Sequence, residues 1–191
     1  ALVGAEPRLK EVASDLIDHF EQRSRTQPGK ALVVGMSRDI CARLYNTIIA
    51  LRPDWHDPDH MKGAIKVVMT ASASESKLLQ PHHTSKQQKK DLENRFKDPA
   101  DPLKIVLVRD MWLTGFDAPC LATMYVDKPM KGANLAQAIA RVNRVFRDKP
   151  GGLIVDYIGI APQLKEALAT YTAAKGKGRP TFDTSEAVRI L

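Results

Sequence analysis

The chain has 191 residues, 43% of them apolar, and carries a formal net charge of +7 with a pI near 9.5. That length holds one α/β domain with a full core and short appendages, and the positive balance favours a polyanionic partner, nucleic acid being the commonest. No run of about 18 apolar residues occurs, and the first ten residues lack the basic start and apolar block of a leader peptide, so neither a spanning helix nor a signal segment is expected.

The chain lacks an initiator methionine and is expected to be an excised piece of something larger. Glu11–Gln22 predicts a helix, with Val12, Leu16, Ile17 and Phe20 on one stripe. Ala31–Met36 (ALVVGM) is a continuous apolar run that suits a strand covered on both faces. Ser37–Leu51 follows as a helix with Ile40, Leu44 and Ile48 inward, capped by Ser37 or Asp39. Cys41 and Cys120 sit in apolar surroundings without CxxC or Cys/His spacing, which predicts buried free thiols and a cytoplasmic setting. Ile65–Thr70 (IKVVMT) is the second strand, and Thr70–Ser74 is small and hydroxyl-rich. His82 and His83 stand in a polar stretch and read as loop surface rather than metal ligands.

Ser85–Lys97 predicts a polar surface helix anchored by Leu92 and Phe96, and Asp98–Pro102 a tight loop. Lys104–Val108, Ala122–Val126 and Gly152–Asp156 complete the strands; Asn134–Phe146 and Pro162–Ala174 complete the helices. Lys175–Pro180 (KGKGRP) reads as a linker, which divides the chain into a domain over residues 1–174 and a linker with the start of a further helix over 175–191. Alternation of strand and helix with continuous apolar strands predicts a doubly wound, mostly parallel sheet with helices on both faces. In such sheets ligands bind outside the carboxyl ends of the strands, so the candidate residues are expected there.

The most telling segment is Asn134–Arg147 (NLAQAIARVNRVFR). Gln137, Arg141 and Arg144 lie at i, i+4 and i+7 and, on a helix, fall within about 60° of one another. Leu135, Ile139, Val142 and Phe146 gather opposite. Two forked cations aimed at one place suit an oxyanion such as phosphate, although a solvated arginine face has the same pattern. After the third strand, residues 109–119 (RDMWLTGFDAP) set Thr114, Gly115 and Asp117 in an otherwise apolar loop: a hydroxyl for phosphate, close backbone approach, and a carboxylate for a ribose hydroxyl. A helix stop with an Asx turn is the plainer reading. Ser37-Arg38 at a helix start offers an anion site or a simple cap, and Thr70 opens either a phosphate-hugging loop or a mere connection.

In this order and spacing the set resembles the second RecA-like domain of superfamily 2 helicases and translocases. Ser37–Arg38 is similar to motif IV, the region of Thr70 to the next nucleic-acid-contacting motif, Leu113–Pro119 to motif V and Gln137–Arg144 to motif VI. The resemblance is closer to the motor (R) subunit of type I restriction enzymes, in which LTGFDAP, QAIARVNR and GLIVDY recur; here these are Leu113–Pro119, Gln137–Arg144 and Gly152–Tyr157. It covers the chain from about Pro7 to about Thr170.

The resemblance implies that Arg141 and Arg144 reach the phosphates of ATP held by a preceding RecA-like domain, with Gln137 coupling nucleotide to nucleic acid. It implies Gly115 and Asp117 near the nucleotide sugar, and Ser37, Arg38, Thr70 and Thr114 on the DNA backbone. ATP and Mg2+ are the implied cofactors. Double-stranded DNA, the first RecA-like domain, and the modification and specificity subunits are the implied partners, with no membrane. Many relatives have His-Arg where this chain has Gln137-Ala138, so duplex unwinding does not follow. No GxxxxGK(S/T) phosphate loop, DExH-type acid pair or nuclease cluster occurs in the 191 residues, so the chain alone is expected not to turn over ATP. The competing readings are another superfamily 2 translocase or remodeller and a non-catalytic DNA-binding module. The motor reading further expects both arginines at the edge where the strands finish.

Overall fold

The computed structural model describes residues 3–70, 76–144 and 151–175. In chain order they form α1 (Glu6–Thr26), β1 (Lys30–Gly35), α2 (Arg38–Leu51), β2 (Ile65–Val68), α3 (Lys86–Lys97), β3 (Ile105–Val108), β4 (Leu121–Asp127), α4 (Gly132–Val142), β5 (Leu153–Asp156) and α5 (Ala161–Lys175). The five strands make one all-parallel sheet in the order β2-β3-β1-β4-β5. Every residue of β1 to β4 is buried, which is why these strands read as largely apolar runs, with Lys30, Lys66, Thr123 and Asp127 as their buried polar members.

Period-two alternation divides the core between the two faces. Leu32, Val34, Val106, Val108, Met124 and Val126 pack under α3, α4 and α5, whereas Ala31, Val33, Leu107 and Tyr125 pack under α1 and α2. Helix α1 runs five residues further back than the apolar stripe indicated, with Pro7 in its first turn, a position proline suits. Ser37, not Asp39, caps α2: its hydroxyl accepts from the Ile40 N–H at 3.1 Å. Ser85 and Gln88 close a reciprocal capping box on α3.

Buried polar groups tie the layers together. On the α1 side, Arg8 donates to both carboxylate oxygens of Asp127 at 2.5 and 3.2 Å and to the Tyr157 carbonyl at 3.1 Å; Asp15 accepts from the Tyr157 hydroxyl at 2.7 Å. Asp127 is fully buried, and burial pushes its carboxyl above the usual range against the pull of Arg8. Near the amino edge Arg95 of α3 is 4% exposed and donates to Asp101 and to the carbonyls of His60, Lys62 and Gly63. The two thiols are free and buried as expected, and desolvation raises Cys41 to about 12.

Two expectations need correction here. His82 is buried, its ring edge-on to Tyr45 at 4.8 Å, and desolvation lowers it to about 4. It lines a cleft of about 680 Å³ with Tyr45, His56 and Lys66. Local polarity signalled a surface loop, but this segment folds back over the exposed edge of β2. The helix expected over Asn134–Phe146 ends at Val142; Asn143 turns out of it, its N–H still bonded to the Ile139 carbonyl. Phe146 and the rest of residues 145–150 lie outside the described residues, as do residues 71–75 and the linker expected after Lys175.

Candidate functional site

The candidate residues occupy two places rather than one. At the carboxyl edge, Ser37 and Arg38 follow β1 directly and Thr70 follows β2. Arg38 Nη1 donates to the Thr70 carbonyl at 2.7 Å, across the end of the intervening β3. Basic groups surround this edge: Arg109 follows β3, and Lys128 follows β4, where it pairs with Asp110 and donates to the Arg109 carbonyl. Three strand ends thus present cations and backbone polar groups to one side of the sheet.

Arg141 and Arg144 are not at this edge, contrary to the expectation. A helix that leaves β4 at the carboxyl edge must return to the amino edge before a parallel β5 can begin. Gln137 and Arg141 share one side of α4, and the last turn carries Arg141 to the amino edge. There the Asn143 side chain accepts from the Gly152 N–H at 3.1 Å, one residue before β5. Gly152 permits this approach, since a methyl group there would overlap the Val142 backbone. Arg144 lies beyond the helix, so the helical alignment with Arg141 that the sequence suggests does not extend to it.

What Arg144 meets is Asp117, at 3.3 Å. Their side chains are 50% and 45% exposed, so the pair is worth no more than about 1 kcal/mol to stability. The other Asp117 oxygen, Oδ1, is shielded from solvent and has no hydrogen-bond partner among the described residues. Arg141 is half-buried and makes no hydrogen bond or ion pair among the described residues, and Gln137 is exposed. Residues of two distant segments, each singled out for phosphate or sugar chemistry, therefore converge beside the end of α4. The plainer reading of Thr114–Asp117 as a helix stop does not hold, because no helix precedes it and Asp117 faces an arginine.

The loop between β3 and β4 connects the two places. Both strands are parallel and no helix lies between them, so residues 109–120 themselves run from the carboxyl edge back to the amino edge. Trp112 and Phe116 anchor the path: their rings stack 4.4 Å apart at 5°, and both lie against Phe96 of α3, at 5.4 and 6.0 Å. Thr114 and Gly115 stand exposed between them, with Gly115 at φ +68° and open space about its Cα. Trp112 itself has φ +67°, a left-handed conformation costing an L-residue about 1–2 kcal/mol. In the sequence Trp112 and Phe116 pass for apolar filler. Aromatic residues at i and i+4 in a loop were the available signal.

No group of three or more His, Cys, Asp or Glu among the described residues is arranged to hold a metal ion, and no described helix is long and apolar enough to cross a membrane. The arginine set by itself suits phosphate.

The all-parallel five-stranded sheet with helices on both faces is a RecA-like α/β fold. Solved structures agree in fold. A fragment of an HsdR subunit of a type I restriction enzyme from Vibrio vulnificus YJ016 superposes with a TM-score of 0.57 at 18% identity, covering 96% of this chain and 31% of that one. The C-terminal domain of the DEAD-box protein Dbp5 gives 0.52 at 13% identity over 95% and 83%. The ATP-dependent Type ISP restriction-modification enzyme LlaBIII bound to DNA gives 0.54 at 14% identity over 97% and 14%. In sequence, the chain is 59% identical over 185 residues to the Type I restriction enzyme HindI endonuclease subunit of Haemophilus influenzae, covering 95% of this chain and 18% of that protein. The profile of the family "Type I restriction enzyme subunit R domain 3" matches residues 53–159, and the chain belongs to that family. It spans about a fifth of the length of the curated relatives it matches.

Proposed function

We propose that this chain is the second motor domain of a cytoplasmic restriction subunit that hydrolyses ATP to move along double-stranded DNA. The observation that carries the reading is the meeting of Asp117 with Arg144 just past the end of α4. ATP with Mg2+, held on the preceding RecA-like domain, supplies the phosphoryl group and the free energy. Arg141 and Arg144 bind and neutralise phosphate charge from this side. Asp117 orients Arg144 through Oδ2 and stands with Gly115 on the side of the nucleotide sugar, Gly115 allowing close backbone approach. Ser37, Arg38, Thr70 and Thr114 hold the DNA backbone, and Gln137, one turn before Arg141, couples nucleotide to nucleic acid. Modification and specificity subunits complete the assembly, and the nuclease site belongs to another part of the subunit. LlaBIII, which shares the fold, is ATP-dependent and bound to DNA in its structure, in keeping with both ligands.

The motor reading placed both arginines where the strands finish; here their phosphate role is kept and moved to the amino edge. DNA held across the carboxyl edge and nucleotide held beside α4 do not compete for one surface. In the full-length subunit, Arg141→Ala or Arg144→Ala is expected to lower ATP hydrolysis by roughly 10³–10⁵ while leaving DNA binding nearly intact. Normal ATP-driven translocation by either variant would refute the assignment.

A further inference from the structure

The turn Asp110–Leu113 opens the loop between β3 and β4, with the Leu113 N–H directed to the Asp110 carbonyl at 3.4 Å. Trp112 takes its third position at φ +67°. Glycine or asparagine is what that position favours, since a Cβ there is strained. A bulky residue keeps such a conformation only where its surroundings over-determine it. They do so here. Trp112 is 9% exposed, and its indole is stacked on Phe116 and packed against Phe96.

That stack joins three fixed points. One is the turn whose first residue, Asp110, pairs with Lys128 at the carboxyl edge. Another is Phe116, the residue before Asp117. The third is the last turn of α3, where Cys120 Sγ also bonds the Phe96 carbonyl at 3.3 Å. Without the rings, a strand-free segment with exposed Thr114 and Gly115 at its centre would take up any displacement in its own torsions. With them, both ends of the segment are held against the last turn of α3, which restricts those torsions.

We propose that Trp112 is a positioning residue of the motor: stacked with Phe116 and Phe96, it makes the loop a rigid link that delivers a displacement at the DNA-bearing edge to the Asp117–Arg144 pair. The inference rests on the motor reading above and adds the residues through which its two places communicate. Trp112 is buried under its ring partners and is not among the residues assigned to either ligand, so its loss separates communication from binding and from chemistry.

The test measures ATP hydrolysis by the full-length subunit with and without double-stranded DNA, together with DNA binding and the thermal midpoint. Trp112→Gly relieves the turn while removing the ring. Its DNA-free hydrolysis and DNA affinity should stay near the original values, whereas stimulation of hydrolysis by DNA should fall about tenfold. Trp112→Phe, which restores a ring, should recover most of that stimulation. Phe116→Leu, which keeps apolar bulk but no ring face, should repeat the loss, and it carries the test if Trp112→Gly fails to fold. Full DNA stimulation in Trp112→Gly or in Phe116→Leu overturns the inference. So does a parallel fall of DNA-free rate, stimulation and thermal midpoint, which marks a purely structural role. Arg144→Ala is measured alongside. Undiminished hydrolysis there overturns the motor reading itself, whereas its loss together with intact stimulation in Trp112→Gly overturns only the link.

Discussion

Replacing Arg8 with methionine keeps most of the apolar stem but removes the cation that faces Asp127. In the native chain Asp127 has no exposure and Arg8 covers both of its oxygens. Breaking a buried pair from one side costs about 3–5 kcal/mol, because the remaining charge stays desolvated without compensation. For a chain of this size that lowers the thermal midpoint by on the order of 10 °C. The sign of the pH dependence follows from the direction of the shift. Asp127 already has a folded pKa above its unfolded one, so its contribution to stability is fullest in acid and is lost as pH rises through the folded value. Without Arg8 that pKa climbs further, and the deficit of Arg8→Met should be largest in alkaline solution and shrink as acid protonates Asp127. Adding Asp127→Asn to Arg8→Met should recover part of the loss at neutral pH; the contacts of Arg8 with the Val3 and Tyr157 carbonyls stay lost. Urea unfolding across a pH series, in the single and double variants, measures all of this. A deficit independent of pH, or none at all, would show that the charge pair is not what holds α1 to the strand end.

Arg95→Leu should be comparably damaging, about 3–5 kcal/mol, since it strands Asp101 and three loop carbonyls; an unchanged urea midpoint would refute the hub role. Gly152→Ala should displace the end of α4 from β5, destabilise the fold by about 1–3 kcal/mol and lower ATP hydrolysis in the full-length subunit. His82 is held near pKa 4 by burial, so its contribution is present above its unfolded pKa and is lost as pH falls through the folded value. An NMR titration should show no protonation of this ring until about pH 5. DNA binding should weaken steeply with salt and show no sequence preference, and Arg38→Ala should reduce the log–log salt slope by about 1. A slope unchanged by Arg38→Ala would remove that residue from the DNA edge.

The strands were legible because β1 to β4 are covered on both faces, so most of their positions are apolar and the run itself marks the strand. The helices were legible to within a turn for the same kind of reason. A stripe such as Leu135, Ala138, Ile139 and Val142 reports the face that packs on the sheet. The strings around Asp117 and Arg144 were legible as a family signature, and the family they suggested is the one whose profile matches residues 53–159.

Hidden from the sequence was everything that depends on where a segment lies relative to a distant one. Arg144 leaves its helix because Asn143 turns to cap the start of β5, and Gly152 lets that strand come within backbone contact. Buried cations such as Arg95 and Lys30 carry no apolar signature. Their partners are carbonyls and carboxylates from other segments, and burial lowers Lys30 to about 8 with its ammonium on the Arg95 carbonyl.

The amino-acid order alone thus determined the elements, their alternation and the family, since local periodicity and short motifs are properties of neighbouring residues. Only the tertiary structure decided that the arginines lie toward the amino edge, Arg38 and Thr70 at the carboxyl edge, and Thr114 on the loop between them. The direction in which a parallel crossover returns sets that division, and no single segment encodes it. The same return path carries Trp112 and Phe116 past Phe96, giving two otherwise plain aromatic residues a place between the two edges.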